Sequence, residues 1–424
     1  MGKTMSGGYE TEVRITKLDN GIHVLSESVP YVDLVSVGMW VCVGSRHEAP
    51  SLRGMSHFIE HMLFKGTENR SARQIADEID SIGGHLNGLT DKETTWYYAK
   101  VLSEYMPKAV EIIADMALHS VLDPVEIDHE KSVVVEEIKR HEDTPDDLVH
   151  DMVAESLWDG HPLSAPVIGS RKTVESFSRE DIVGFMKEHY TPDRIVISAA
   201  GNLEHEAFVD VVNKYFGDMK GCGTTCEEQP IFTSASKKIV AKPVEQIHFC
   251  VGMPGYSQLD ENRYALALLD AAIGGGMSSR LFQEIRENRG LAYAIGSYVA
   301  AYREGGILVI YGGTSREHFD EVVDLINKEL KAVKTGGLGE DEMVRAKNQI
   351  KGALVLGQEN MTNRMSRIAN SMIYFGRVKT LQELIDSVMK VTADDLLRVA
   401  GEVLSEDKTA FVAIGPSKWA KEVA

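Results

Sequence analysis

The sequence predicts an α+β protein built from two homologous halves, each a mainly antiparallel sheet covered by helices. Three observations predict this. Strand-like runs come in adjacent groups, the first two joined by a hairpin turn, with helical stretches between the groups. The same order of elements recurs after a polar, glycine-containing stretch near residue 221. At 424 residues the chain is long enough for each half to bury its own core.

In order, 11–18, 22–28 and 34–43 alternate or run apolar and are expected to be strands, with Asp19-Asn-Gly21 as the turn between the first two. A short helix follows at 54–66. Ser71 opens another, with Gln74 completing a capping box and Ile75, Ile79 and Ile82 on its inner face. Strands are expected at 85–90 and 94–101, then a helix at 107–119. Asp123-Pro124 starts a long helix to about Arg140, and 143–157 continues as a more acidic helix interrupted near Pro145. A helix at 178–190 precedes a strand at 194–201. After the linker come a strand (246–253), a helix (263–273) ending at Gly274-Gly-Gly276, a helix (279–289), strands (294–302 and 306–311) and further helices. Each sheet is expected to carry its helices on one side.

The recurrence can be aligned. Ser178 to Gly201 parallels Thr392 to Gly415, and Leu122-Asp-Pro-Val-Glu126 parallels Leu338-Gly-Glu-Asp-Glu342, at offsets of 214 and 216. The expected organisation is therefore a half at 1–220, a linker at 221–232 and a second half at 233–424.

Composition narrows the function. Hydrophobic residues at 43% and charged residues at 26% describe an ordinary soluble globular protein. No apolar run reaches the length of a membrane span, and the first residues contain no apolar secretory segment, so a cytoplasmic protein is expected. Met1-Gly2 with Ser6 matches the short myristoylation pattern only nominally. A net charge of −19 argues against nucleic-acid binding and suits basic ligands. Four cysteines are too few for a disulfide framework. Cys42 and Cys250 sit in apolar runs and are expected to be buried thiols, while Cys222 and Cys226 share a polar loop.

The chemistry concentrates at Gly54-Met-Ser-His-Phe-Ile-Glu-His-Met-Leu-Phe-Lys-Gly66, which holds His57, Glu60 and His61 as H-x-x-E-H. On a helix, residues four apart lie about 40° apart around the axis, so both imidazoles can face one ion. Glu60 projects from the edge of that face. Two neutral imidazoles with a carboxylate beside them provide ligands and a base. Phe58, Ile59, Met62 and Leu63 fill the opposite face. The inverted order of the motif points to the inverzincins, with a third ligand supplied from elsewhere. Glu130 and Glu137 are seven apart and share a helix face, while Glu136 points about 100° away from Glu137. Laid on the repeat, the motif falls near Leu266, Leu269 and Asp270, so only the first half can hold the metal.

The chain as a whole resembles the M16 zinc metallopeptidases, inverzincins of subfamily B like the mitochondrial processing peptidase, in a bacterial form. The resemblance rests on His57-Phe-Ile-Glu-His61, Gly83-Gly-His-Leu-Asn-Gly-Leu-Thr90 with Thr94-Thr-Trp-Tyr-Tyr98, Val133-Val-Val-Glu-Glu-Ile138 and the segment Leu281 to Tyr293. It implies a LuxS-like clamshell of two half-domains and one Zn²⁺ per chain held by His57, His61 and Glu137. It implies Glu60 as general base on zinc-bound water, Glu130 as a supporting residue important for activity, and Arg286 and Tyr293 reaching the substrate carbonyl from the metal-free half. It further implies substrate docking as an added strand at Asn87 and Gly88, and selection of a basic residue by Asp147 and Asp151. The expected function is a zinc-dependent endopeptidase for unfolded peptides or presequence-like segments in an enclosed chamber. The expected assembly is a homodimer, with an inactive paralogue as the alternative partner and no nucleic-acid or membrane partner. The rival functions are a non-catalytic structural or assembly subunit of the same fold and a protease dedicated to maturing one peptide.

Overall fold

A computed structural model describes residues 12–223 and 229–423. The chain forms two compact units. The first comprises Met1–Ile138, Pro166–Glu227 and Val355–Leu381; the second comprises Lys139–Ala165, Glu228–Leu354 and Gln382–Ala424.

The first unit holds a six-stranded sheet in the order β1 (Val13–Lys17), β2 (His23–Ser28), β6 (Ile195–Gly201), β3 (Leu34–Val41), β5 (Thr95–Leu102) and β4 (His85–Thr90). The second holds a five-stranded sheet in the order β7 (Ser236–Ala241), β11 (Ala410–Gly415), β8 (Ile247–Gly255), β10 (Gly306–Thr314) and β9 (Ala292–Ala301). In each sheet one pair is parallel, β2 with β6 and β7 with β11, and every other pair is antiparallel. Strand for strand, the five-stranded order repeats the six-stranded one without β1, so the repeat seen in the sequence is a repeat of topology.

The local signals account for the elements. Gly21, at φ +102°, closes the β1–β2 turn, where Leu18 N–H bonds Ile22 C=O at 2.9 Å. Ser71 and Gln74 form their capping box, as do Ser178 with Asp181 and Thr392 with Asp395. The stretch expected as a helix over 279–289 contains a π-helical segment at Phe282–Glu287. Strand β7 and the helices Arg171–Ser176 and His205–Phe216 were not anticipated. Among the described residues, no helix is long and apolar enough to cross a membrane.

Helix cover corrects the expected one-sided sheets. On one face of the first sheet, Val35, Val37, Met39 and Val41 of β3 join the core formed with the helices Met55–Leu63 and Met106–His119. The alternate residue Trp40 points to the other face, with Leu25, Val196 and Ala200. Met365, Ile368, Ala369 and Met372 of the helix Met361–Phe375 cover that face. Glu27, 1% exposed, anchors this helix by ion pairs to Arg364 at 2.5 Å and Arg367 at 2.9 Å. Reciprocally, Val149, Met152, Val153 and Leu157 of the helix Pro145–Leu157 cover Cys250, Val309 and Val412 of the second sheet. Each sheet is apolar on both faces, and burying a large apolar side chain is worth about 1.5–3 kcal/mol. Each second face is therefore covered by one helix drawn from the other half of the sequence. The compact units depart from halves divided at 221–232 for that reason. Residues 224–228 of that segment, with Cys226, lie outside the described residues.

Cys250 is fully buried, Cys42 is half-buried and Cys222 is exposed.

Candidate metal centre

The motif helix Met55–Leu63 is fixed by its apolar side. Phe58, Ile59, Met62 and Leu63 are each at most 1% exposed. That burial turns His57, Glu60 and His61 to the half-buried side, under the edge strand β4. The helix Pro124–Glu142 brings the third group. Asp123 Oδ1 accepts the Val125 N–H at 2.8 Å, capping the start of this helix. Ile127, Val134 and Ile138 bury its inner stripe, and Glu130 and Glu137 lie beside that stripe.

Glu137 Oε2 lies 3.8 Å from His57 Nε2 and 3.7 Å from His61 Nε2. The ligand atoms of His57, His61 and Glu137 all fall within 4.8 Å of one another, and no other such group of His, Cys, Asp or Glu occurs among the described residues. Glu136 is exposed and outside the group.

The hydrogen bonds fix which nitrogen is free. His61 Nδ1 lies 2.8 Å from Glu130 Oε1. An ionised carboxylate only accepts, so Nδ1 carries the proton and the Nε2 lone pair faces Glu137. Glu130 is 3% exposed, and its other oxygen lies 2.5 Å from Lys65 Nζ. Burial alone would raise the Glu130 pKa, but the bonds from His61 and Lys65 outweigh it and hold the carboxyl low. His61 shows the reciprocal balance: burial disfavours its charged form, and the Glu130 bond with nearby carboxylates raises its pKa. His57 is pushed down to about 4, chiefly by burial and then by His61. It is a neutral imidazole whose buried Nδ1 has no hydrogen-bond partner.

These donors fit zinc. Three ligands at about 2.0–2.1 Å around a tetrahedral ion stand roughly 3.3–3.4 Å from one another, a little inside the separations here. Two imidazole lone pairs and one carboxylate oxygen converge, and a His₂Glu set leaves one position for water or substrate.

Glu60 sits beside this group. Burial raises its pKa, opposed by a 2.8 Å hydrogen bond from Thr90 Oγ1. Strand β4 passes so close that a Cβ on Gly88 would meet Glu60 Cγ and Oε1 at 2.8 Å. β4 is the outer strand of its sheet and pairs with β5 in unbroken register, so Asn87-Gly88 forms neither a turn nor a bulge. Asn87 is exposed, and its Oδ1 accepts the Gly88 N–H at 2.9 Å.

The other candidate residues belong to the second unit. Tyr293, 81% exposed, is the second residue of the outer strand β9. The Arg286 guanidinium lies 5.4 Å from the Tyr293 ring centre and 4.9 Å from that of Phe282. Asp147 and Asp151 stand one turn apart on Pro145–Leu157. Asp147 is exposed, and Asp151 Oδ2 is 2.8 Å from His141 Nε2.

Sequence reasoning passed over two neighbours of the site. Thr90 lies two residues after Gly88 on the same strand face, and Lys65 lies four after His61. Strand and helix periods, applied to the named residues, point to both.

Comparisons with known proteins place the chain in a family. The family model described as insulinase, peptidase family M16, matches residues 23–171, and the one described as peptidase M16 inactive domain matches 176–350. A Bacillus subtilis protein named as an uncharacterized zinc protease, YmxG, is 41% identical over 400 residues, covering 94% of this chain and 97% of its own. A Streptomyces coelicolor protein, also named as an uncharacterized zinc protease, is 37% identical over 415 residues, covering 96% and 90%. A protease from Helicobacter pylori has the same fold at TM-score 0.89 and 22% identity, covering 96% of this chain and 100% of that one. A structure described as a peptidase M16 inactive domain from Pseudomonas fluorescens also matches at TM-score 0.89, with 17% identity and coverage of 96% and 98%. The chain belongs to the M16 peptidase family.

Proposed function

We propose that this protein is a zinc-dependent endopeptidase that hydrolyses peptide bonds of unfolded peptides or presequence-like segments. The observation that carries the reading is the convergence of His57, His61 and Glu137 with Glu60 beside an open strand edge. The relatives named as zinc proteases support it. His57 Nε2, His61 Nε2 and Glu137 would hold one zinc per chain, and the bound ion supplies Lewis acidity to a carbonyl and to water.

The chain's own groups supply the remainder. Glu60, its pKa raised by burial, takes a proton from the attacking water and returns it to the leaving amine. Thr90 holds one oxygen of that carboxylate, which orients the other for proton transfer. Glu130 fixes the His61 tautomer. The β4 edge binds substrate backbone as an added strand at Asn87 and Gly88, with Asn87 Oδ1 giving up the Gly88 N–H. Arg286 and Tyr293 donate to the substrate carbonyl oxygen; among the described residues Arg286 has no carboxylate partner, and Tyr293 is exposed. Asp147 and Asp151 favour a basic residue near the cut. We further propose a cytoplasmic homodimer enclosing its substrate in a chamber. The test is cleavage of an unstructured basic peptide: loss of cleavage in Glu60→Gln supports the reading, and full activity in that variant contradicts it.

A further inference from the structure

The motif helix is only nine residues long, too short to hold its own position. Its N-cap is Gly54, at φ +93°, which has no side chain to cap the first turn. The cap comes instead from Glu48, six residues upstream. Glu48 Oε2 accepts the Gly54 N–H at 2.6 Å and Oε1 accepts the Ser56 N–H at 2.7 Å. Ser56 directly precedes His57. At the same end, a Cβ on Gly54 would meet Ile168 C=O at 2.8 Å, so the chain is held on two sides.

We propose that Glu48 is a positioning residue of the metal centre, its bridging carboxylate setting the rotation and axial position at which the motif helix presents His57 and His61 to Glu137. The inference rests on the zinc reading given above. The geometry makes the demand strict. A rotation of about 10° moves an atom roughly 6 Å from a helix axis by about 1 Å, enough to spoil a ligand set.

A plain stabilising cap does not account for the arrangement. Glu48 is 8% exposed, and burial pushes its pKa up to about 7, against the two backbone bonds and Arg53. The ionised form therefore costs the fold stability near neutral pH. A glutamine of the same shape removes that cost but has a single acceptor oxygen for the two N–H groups, whereas a Ser, Thr or Asp N-cap serves its own helix from within. A buried carboxylate from the preceding loop that bridges two N–H groups, at the start of the one helix that carries both histidines, is better explained by alignment.

The test uses Glu48→Gln, which keeps shape and one acceptor, with Glu48→Asp as a second variant that keeps the charge but is one methylene too short to bridge both N–H groups. The readouts are the thermal midpoint, zinc affinity by chelator competition and the visible absorption of the Co²⁺-substituted protein, which reports ligand geometry without turnover. The expected result is a midpoint at pH 8 close to wild type for Glu48→Gln and, in both variants, zinc affinity weakened about tenfold and altered Co²⁺ bands. Wild-type zinc affinity and wild-type Co²⁺ bands in both variants would overturn the proposal. So would a fall in midpoint with the bands unchanged, which marks a structural cap. Failure of the wild type itself to bind zinc counts against the zinc reading, separately from Glu48.

Discussion

Replacing Glu130 by glutamine keeps the shape of a buried side chain and removes its charge. In the native chain one oxygen accepts from His61 Nδ1 at 2.8 Å and the other meets Lys65 Nζ at 2.5 Å. Glutamine has a single acceptor oxygen, so it can serve His61 or Lys65 but not both. If it serves His61, a hydrogen bond to a charged acceptor worth about 1.5–3 kcal/mol becomes a neutral one worth about 0.5–1.5. The difference of about 1–1.5 kcal/mol is roughly tenfold in affinity for an ion held through His61. Alanine, which leaves the imidazole unsupported as well, falls toward a hundredfold. The assay is zinc competition against a chromophoric chelator at fixed pH, with Glu136→Gln, outside the ligand group, as the control that leaves zinc affinity unchanged. A Glu130→Gln protein that is folded and binds zinc within twofold of wild type refutes the argument that Glu130 sets the ligand.

Two other outcomes follow from the structure. Tyr293→Phe removes a phenol from a ring that is 81% exposed; the thermal midpoint stays at the wild-type value, while peptide turnover falls about a hundredfold, the loss typical of one oxyanion donor, and unchanged turnover removes Tyr293 from the mechanism. The buried His189 takes a hydrogen bond from Arg194 at 2.8 Å, and burial and then that guanidinium push its pKa to about 4. The sign follows: a folded pKa below the unfolded value of about 6.5 gives stability that is complete above pH 6.5 and lost as pH falls toward 4, up to about 3 kcal/mol for this group. His47, pushed to about 3 chiefly by burial, acts in the same direction. The thermal midpoint of the metal-free chain is expected to drop across that window, and less steeply in His189→Gln; equal slopes would show that His189 is not the source.

Much of the fold was legible because its signals are local. Alternating apolar residues at β2 and β3, the Asp19-Asn-Gly21 turn and the capping residues Ser71, Ser178 and Thr392 each act within a few residues, and each sits where its pattern indicates. The repeat carried further, since nearly equal offsets between the halves correspond to matching strand orders, β1 aside. The exchanged helices were not legible. The stripe of Met365, Ile368 and Met372 says that Met361–Phe375 buries a face, but nothing local says which sheet receives it. Strand β7, with Lys237 and Lys238 exposed on an outer strand, lacks the apolar alternation that marks interior strands. At the candidate site, His57, Glu60 and His61 follow from helix periodicity, and Glu137 entered through the family resemblance. Glu48 could not be read at all, because a carboxylate in a charged loop gives no sign that its oxygens turn back onto a helix it precedes by six residues.

The proposed function requires that His57, His61 and Glu137 hold one zinc and that Glu60, beside them, moves the proton. The most direct measurement pairs zinc content with cleavage of an unstructured basic peptide, wild type against Glu60→Gln. One zinc per chain in both proteins and cleavage by the wild type alone are the expected results. A wild type without bound metal, or a Glu60→Gln variant that cleaves at the full rate, would contradict it.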